Sequence, residues 1–94
     1  MLEGLDPVCL SPHRLLILTI LRRHGEVEFV FLKNTLRMPA GNLSQHLKTL
    51  EKAGYVLLKK SIKNKYPVTT CSISDSGLQA FEGLVAAIKR LEEW

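Results

Sequence analysis

A short segment in the middle of the chain carries side chains that can form directed hydrogen bonds. Residues 38–55 read MPAGNLSQHLKTLEKAGY, in which Leu43, Leu47 and Leu50 recur at the spacing of one helical face. With those leucines inward, small or hydrogen-bonding residues lie on the outer face or beside it: Gly41, Asn42, Ser44, Gln45, Lys48 and Thr49. Amide side chains can pair bidentately with adenine, and lysine can donate to guanine. The helix therefore presents either an ordinary solvated face or a face that reads DNA bases.

Basic residues downstream supply a different chemistry, the attraction of polyanions. Several lysines and one asparagine follow the helix: Lys59, Lys60, Lys63, Asn64 and Lys65. Lysine ammonium groups are point charges that suit phosphates and carry little base specificity. Residues 33–65 hold a net charge of +7, whereas the rest of the chain holds −3. This concentration of charge indicates one surface that faces a polyanion.

Helix and turn signals place both groups on a small set of elements. Ser11-Pro12 is typical of a helix start, Pro39 stops a helix, and Gly54 is a natural helix terminator. The pattern predicts an N-terminal arm (1–10), helices at 11–24, 28–36, 40–53 and 75–93, and a hairpin at 55–73, with Glu26–Glu28 as a brief extended connector. This order predicts a single mainly α domain with a β-hairpin (α+β) over residues 1–94. It is a winged helix-turn-helix with a three-helix core, a two-stranded wing and a C-terminal helix.

The arrangement resembles the small, single-domain winged-helix transcriptional regulators of the MarR/ArsR-like group in archaea and bacteria. The segments that carry the likeness cover most of the chain: DPVCLSPHRLLILTIL (6–21), FLKNTL (31–36), GNLSQHLKTLEKAGYV (41–56), YPVTT (66–70) and ISDSGLQAFE (73–82). The resemblance implies that residues 40–53 are the recognition helix, which enters the major groove, and that the hairpin meets phosphates or the minor groove.

Two departures from that group affect the expectations. Its members usually have Ser, Thr or Asp at the start of the recognition helix, where this chain has Pro39-Ala40, so we expect no side-chain cap. The Cys-containing motif of the arsenic- and zinc-sensing relatives is missing around residues 28–53, so metal sensing is not carried over.

Apolar residues at both ends of the sequence exceed what one small core needs to bury. They are Leu5, Val8, Phe81, Leu84, Ile88, Leu91 and Trp94. A twofold homodimer sealed by these segments would cover them and would make residues 75–93 a dimerisation helix. It would also set two recognition helices about 34 Å apart, one turn of DNA. The alternative is that these residues close the domain's own core.

Two residues outside the predicted reading face have roles that the sequence leaves open or modest. Arg14, near the start of the first helix, is either a phosphate contact or a structural ion-pair partner. His46 lies closer to the core edge of its helix than Gln45 does, and we expect it to pack there.

Other functions find little support in the sequence. His13, His24 and His46 are dispersed, and no nucleophile–base pair or phosphate loop is evident, so we expect neither an enzyme nor a cofactor or metal. Cys9 and Cys71 match no disulfide or metal spacing, which predicts free thiols and leaves a redox role open. The acidic N-terminus and the short apolar runs disfavour a signal peptide and a membrane span, so we expect a cytoplasmic location.

These features predict sequence-specific binding of double-stranded DNA by a homodimeric transcriptional regulator. A winged-helix protein-interaction module within a larger assembly is the alternative, although such a module needs an apolar or acid-matched patch where this chain is polar and basic. RNA is a weaker candidate ligand because no aromatic stacking platform is visible. The sequence indicates neither an operator nor a small-molecule effector.

Overall fold

The computed structural model describes residues 3–94; Met1 and Leu2, which the sequence assigns to the N-terminal arm, lie outside the described residues. In chain order its elements are α1 (Pro12–His24), β1 (Glu26–Glu28), α2 (Phe29–Leu36), α3 (Ala40–Lys52), β2 (Val56–Lys63), β3 (Tyr66–Ile73), α4 (Asp75–Arg90) and a closing 3-10 turn (Leu91–Glu93). The fold is a winged helix: mainly α, with a hairpin as its wing. None of the helices between residues 3 and 94 has the length and hydropathy that a membrane span requires.

The sheet has three antiparallel strands in the order β1-β3-β2, one more than the sequence predicts. The segment expected as a connector, Glu26–Glu28, pairs with the outer edge of β3, and Val27 lies opposite Cys71. Only one residue of this strand is apolar, so its short pattern carries no strand signal. Its pairing partner lies more than 40 residues away along the chain.

Helix ends follow local chemistry. The Ser11 hydroxyl accepts a hydrogen bond from the Arg14 N–H at 3.5 Å, and the Ser74 hydroxyl accepts one from the Gly77 N–H at 3.0 Å. By contrast, α3 begins at Pro39 without a side-chain cap, as the sequence predicts. A cap of this kind is typically worth about 1 kcal/mol. The start of α3, like that of α2, therefore lacks the stabilisation that Ser11 and Ser74 give to α1 and α4.

One core lies between the helices and the sheet. Its fully buried members come from the N-terminal arm, every helix and the two long strands: Cys9, Ile17, Leu18, Leu21, Leu32, Leu43, Leu47, Leu50, Val56, Cys71 and Leu84. Burial of side chains of this size contributes on the order of 1.5–3 kcal/mol each. The leucine stripe of α3 is thus fixed against the rest of the domain, which sets the direction of its outer face.

Two residues assigned from sequence to a dimer interface belong to this core instead. Phe81 is 7% exposed and Leu84 is 0% exposed, so the protomer itself covers them. They lie on the stripe of α4 that is buried, and the helix packs against α1. A helical wheel shows which residues share a face, but it does not show how far the neighbouring elements reach around the helix. The expectation that these two residues contact a second copy is therefore corrected.

The start of α4 lies directly against the corner that follows α3. The Ser74 N–H donates to the Tyr55 carbonyl at 3.0 Å, and the Ser74 hydroxyl donates to the Gly54 carbonyl at 2.6 Å. A Cβ at residue 77 would lie 2.0 Å from the Tyr55 carbonyl oxygen, so only glycine permits this approach. The Tyr55 hydroxyl in turn donates to the Asp6 carboxylate, which ties the N-terminal arm to the same corner.

Candidate nucleic-acid interface

The outer face of α3 is the centre of the candidate interface. The residues at its outward positions are exposed: Gly41, Asn42, Gln45, Lys48 and Thr49, with Ser44 half-buried at one edge. A Cβ added at Gly41 would meet no atom within 4 Å, so the protein's own packing does not require glycine there. The Thr49 hydroxyl donates to the Gln45 carbonyl at 3.1 Å and keeps its acceptor capacity. The amides of Asn42 and Gln45 and the ammonium group of Lys48 face solvent.

The turn before α3 contributes a cation that the sequence prediction did not place in the interface. Arg37 is exposed and adopts a left-handed conformation with φ 51°. Its N–H and that of Met38 both donate to the Lys33 carbonyl, which closes α2 and turns the chain into α3. The position of a basic residue, Arg37, in the turn between two predicted helices is the sequence signal that could have placed it in the interface. Arg37 lies in the turn that leads into the N-terminal end of α3, where the sequence predicts contact with the groove.

The wing separates its lysines onto two faces. Side chains alternate along a strand, and the buried Val56 and the half-buried Leu58 (opposite the buried Cys71) define the inner face of β2. Lys60 lies on this inner face opposite Thr69, whereas Lys59 lies on the outer face opposite Thr70. The sequence predicts one basic wing, but the register divides it. A one-residue shift would exchange the two faces.

A cleft of about 470 Å³ joins the inner face of the wing to α3. Its polar lining comes from both elements: Ser44, Lys48, Glu51, Lys60 and Thr69. The hydroxyls and ammonium groups are suited to a phosphate oxygen, while the Glu51 carboxylate limits the positive charge at one end. The fold therefore brings together Ser44, Lys48 and Lys60, which are separated by up to 16 residues in the sequence.

The outer face of the wing has a different electrostatic setting. The Lys63 ammonium group lies 3.4 Å from a Glu28 carboxylate oxygen, and the two side chains are 66% and 44% exposed. Such a pair is worth about 0–1 kcal/mol in water. The turn that follows consists of Asn64 (φ 51°) and Lys65 (φ 70°), two consecutive residues with positive φ. Both conformations are those that a tight type I′ hairpin turn requires.

Arg14 makes structural hydrogen bonds, but its partners do not form the ion pair that the sequence offered as an alternative to a phosphate contact. Its Nε donates to the Val8 carbonyl at 2.5 Å, and its Nη1 lies 3.2 Å from Nδ1 of His46. It is half-buried and holds a backbone carbonyl and an imidazole rather than a carboxylate. His46 packs at the edge of α3, as expected, with its ring centroid 5.3 Å from that of His13.

At the opposite end of the molecule, the C-terminal residues leave apolar surface uncovered. Ile88 is 39% exposed, Leu91 56% and Trp94 80%. Leu91 and Trp94, together with Leu5 and Ala87, line a groove of about 580 Å³ between the N-terminal arm and the end of α4. Val8, by contrast, packs partly buried against the core.

The buried thiols and the titratable groups offer little for catalysis or metal binding. Cys9 and Cys71 are free and fully buried, and burial raises the pKa of each thiol to about 11. Both thiols are therefore protonated at neutral pH, which disfavours nucleophilic or redox chemistry at either residue. Within residues 3–94 there is no group of three or more His, Cys, Asp or Glu residues that could hold a metal ion.

Comparison with proteins of known sequence relates this surface to a family. The winged helix DNA-binding domain family matches residues 13–91. An uncharacterised protein of Methanocaldococcus jannaschii is 36% identical over 80 residues, which cover 85% of this chain and 87% of that protein. These two matches span all the elements that form the candidate interface.

Solved structures with the same fold include transcriptional regulators. A transcriptional regulator homologue from Pyrococcus horikoshii superposes with a TM-score of 0.88 at 25% identity, covering 96% of this chain and 90% of that one. An ArsR family transcriptional regulator superposes with a TM-score of 0.68 at 25% identity, covering 97% and 94%. PadR of Bacillus subtilis, solved in complex with operator DNA, has a TM-score of 0.69 at 19% identity over 82% of this chain and 48% of its own. The chain belongs to the winged helix DNA-binding domain family and has the fold of the transcriptional regulators that the sequence resembles.

Proposed function

We propose that this protein is a homodimeric transcriptional regulator that binds double-stranded DNA at specific sequences. The observation that carries the proposal is the outer face of α3. It presents Asn42, Gln45 and Lys48 to solvent on a helix whose opposite stripe is fully buried. A helix with that outer face, held rigidly by its core, can enter a major groove and pair with base edges.

The interface divides its tasks between two kinds of side chain. Asn42 and Gln45, with Ser44 beside them, are assigned to base edges because amides and hydroxyls discriminate between bases. Lys48 and Thr49 are assigned to phosphates or bases. The wing residues Lys59, Lys60, Lys63, Asn64 and Lys65 are assigned to phosphates or the minor groove, with Lys60 nearest to α3. The contacts with base edges set the sequence preference, and the contacts with phosphates set the affinity.

Dimerisation is assigned to the exposed apolar residues at the end of α4 and in the segment that follows it. Ile88, Leu91 and Trp94, together with Leu5, form a patch that one protomer does not cover. A twofold contact through this patch is self-complementary, and it presents two copies of α3 to successive turns of one DNA face, about 34 Å apart. Operator DNA bound to PadR, a protein with the same fold, supports double-stranded DNA as the partner of such a dimer, but not the choice of this patch. DNA as the partner also supports a cytoplasmic location.

A mobility-shift titration with duplex DNA over a salt series tests the proposal. Duplexes selected from a random pool by the wild-type protein provide the specific site, and a scrambled duplex provides the reference. We expect a palindromic selected site with half-sites about one turn apart. Absence of any shift at low salt would instead favour the protein-interaction module.

A matched pair of variants tests whether an exposed amide on α3 contacts DNA bases or is simply solvated. Gln45→Ala removes an exposed amide from α3, and Gln79→Ala removes an exposed amide from α4. We expect only Gln45→Ala to lower the affinity ratio between selected and scrambled duplexes. Equal ratios for both variants would contradict the assignment of Gln45 to a base.

A further inference from the structure

A cluster of three side chains connects α3 to the N-terminal part of the molecule. His46, on α3, lies one helical turn after Asn42. Arg14 of α1 reaches Nδ1 of His46 at 3.2 Å with one end of its guanidinium and the Val8 carbonyl at 2.5 Å with its Nε. One side chain thus joins the N-terminal arm, α1 and α3.

The hydrogen-bond chemistry of the cluster fixes the protonation state of His46. A guanidinium group can only donate hydrogen bonds, so Nδ1 of His46 accepts from Arg14. The imidazole is therefore neutral, and its remaining proton is on Nε2. A second proton on Nδ1 would replace the acceptor by a donor and remove the contact with Arg14.

The surroundings of His46 act in the same direction. Burial lowers the pKa of His46 from its ordinary value of 6.5, and the charge on Arg14 and then His13 lower it further. On α3 itself the residues one turn away on the same side, Asn42 and Thr49, carry no charge. On the N-terminal arm the Asp6 carboxylate accepts from the Tyr55 hydroxyl and from the Val8 N–H at 2.9 Å.

We propose that Arg14 is a positioning residue that holds α3 through neutral His46, and that protonation of His46 releases this contact and weakens sequence-specific DNA binding. The inference rests on the proposed function, because the readout of interest is discrimination between DNA sequences. Asn42 and Gln45 must lie at fixed positions relative to base edges, whereas phosphate contacts tolerate a shift of the helix. Acidification therefore lowers specificity before it lowers affinity.

The direction of the pH effect follows from the lowered pKa. At pH values well above 6.5, His46 is neutral in the folded and the unfolded chain, and the contact with Arg14 is fully present. As the pH falls through the lowered pKa of the folded protein, the contact is lost and the free energy of unfolding decreases. The added positive charge near DNA meanwhile keeps binding to random sequences at least as strong as before.

Two measurements test the proposal, one without DNA and one with it. In the DNA-free protein, nuclear magnetic resonance titration of the His46 ring reports its pKa directly. We expect a value below 6.5 in the wild type and a higher value in Arg14→Gln, which lacks the guanidinium charge. A His46 pKa that Arg14→Gln leaves unchanged would overturn the proposal, even if DNA binding itself is confirmed.

The second measurement is the affinity ratio between selected and scrambled duplexes from pH 5 to pH 8. His46→Asn places an amide oxygen near the position of Nδ1, accepts from Arg14 and does not titrate. We expect the wild-type ratio to fall roughly tenfold on acidification, the equivalent of one charge-assisted hydrogen bond. In His46→Asn the ratio should stay nearly constant with pH.

The matched control is His24→Asn, which removes an exposed histidine at the far end of α1, where its ring contacts Phe31. This variant should keep the wild-type pH profile. If His46→Asn also kept it, the proposal would be refuted. If the wild type showed no sequence preference at any pH, the proposed function would fail, while the ring titration would still decide the role of Arg14.

Discussion

Helices α3 and α4 share one inner construction and differ in their outer faces. Both bury an apolar stripe in the same core: Leu43, Leu47 and Leu50 on α3, and Phe81, Leu84 and Ala87 on α4. Outside, α3 carries amides, hydroxyls and an ammonium group, whereas the end of α4 carries Ile88 and the closing turn after it carries Leu91. The stripe determines how each helix is oriented, and the outer face determines the kind of surface it can bind.

The buried residues of a helix indicate its orientation in the fold, whereas its exposed residues indicate what it can bind. The stripe of α3 could belong to any small helical domain, and its presence alone would not indicate DNA. The polar outer face of α3 indicates a nucleic-acid interface because Lys60 of the wing lines a cleft with it. The apolar outer face at the end of α4 indicates a protein interface because the protomer leaves it uncovered.

The largest expected effect comes from breaking the shared inner construction. Leu47→Ala removes a buried side chain and leaves a cavity, so we expect the free energy of unfolding to fall by about 2–5 kcal/mol. Urea denaturation followed by circular dichroism measures this change. Thr49→Ala, on the exposed face of the same helix, should change it by no more than about 0.5 kcal/mol. Similar losses for both variants would contradict the assignment of inner and outer faces.

The next effect tests the outer face of α4. Leu91→Asp places a charge in the centre of the proposed dimer patch, and we expect dimer affinity to fall at least about 30-fold, or 2 kcal/mol. Sedimentation at micromolar concentration measures the monomer fraction. Glu92→Gln is the control, because Glu92 is exposed on the same turn but does not line the groove. A wild type that is monomeric at these concentrations would remove the basis of the prediction.

A smaller effect tests the outer face of α3 against that of α4. Gln45→Ala should lower discrimination between selected and scrambled duplexes by about 1–3 kcal/mol, the usual value of a bidentate base contact. Its free energy of unfolding should stay close to wild type because the side chain is exposed. Loss of stability together with loss of discrimination would indicate a structural role for Gln45 instead.

The smallest effect separates the two faces of the wing. Lys59→Ala and Lys60→Ala remove equal charges from adjacent residues on opposite sheet faces. We expect Lys60→Ala to reduce the slope of log affinity against log salt by about one unit, with specificity unchanged. Lys59→Ala should reduce the slope by less. Equal salt slopes for the two variants would contradict the prediction that the lysine on the face toward α3 contacts phosphate more than its neighbour does.

Local signals in the sequence predict most of this fold. Ser11-Pro12, Pro39, Gly54 and Ser74 mark element boundaries by chemistry that acts within a few residues, and the observed helices begin or end within about three residues of the predicted positions. The uncapped start of α3 was predictable for the same reason. The third strand was not, because Glu26–Glu28 acquires its structure from β3 rather than from its own residues.

The candidate site was predictable in part. The outer positions of α3 follow from helical geometry alone, and the structure exposes all but Ser44. The separation of Lys59 from Lys60 required the strand register, which the sequence does not state. The burial of Phe81 and the contacts of Arg14 required tertiary packing, since a helical wheel contains no information about neighbouring elements.

The hairpin turn places opposing demands on one residue. Lys65 adopts φ 70°, a conformation that costs a residue with a side chain roughly 1–2 kcal/mol relative to glycine. Selection for thermal stability alone would favour glycine at this position, as it would in a designed hairpin. Selection for attraction to DNA would keep the ammonium group. Laboratory evolution under heat, without a DNA-binding requirement, is therefore a route by which this wing would lose its charged tip and gain stability, a trade-off located at one residue.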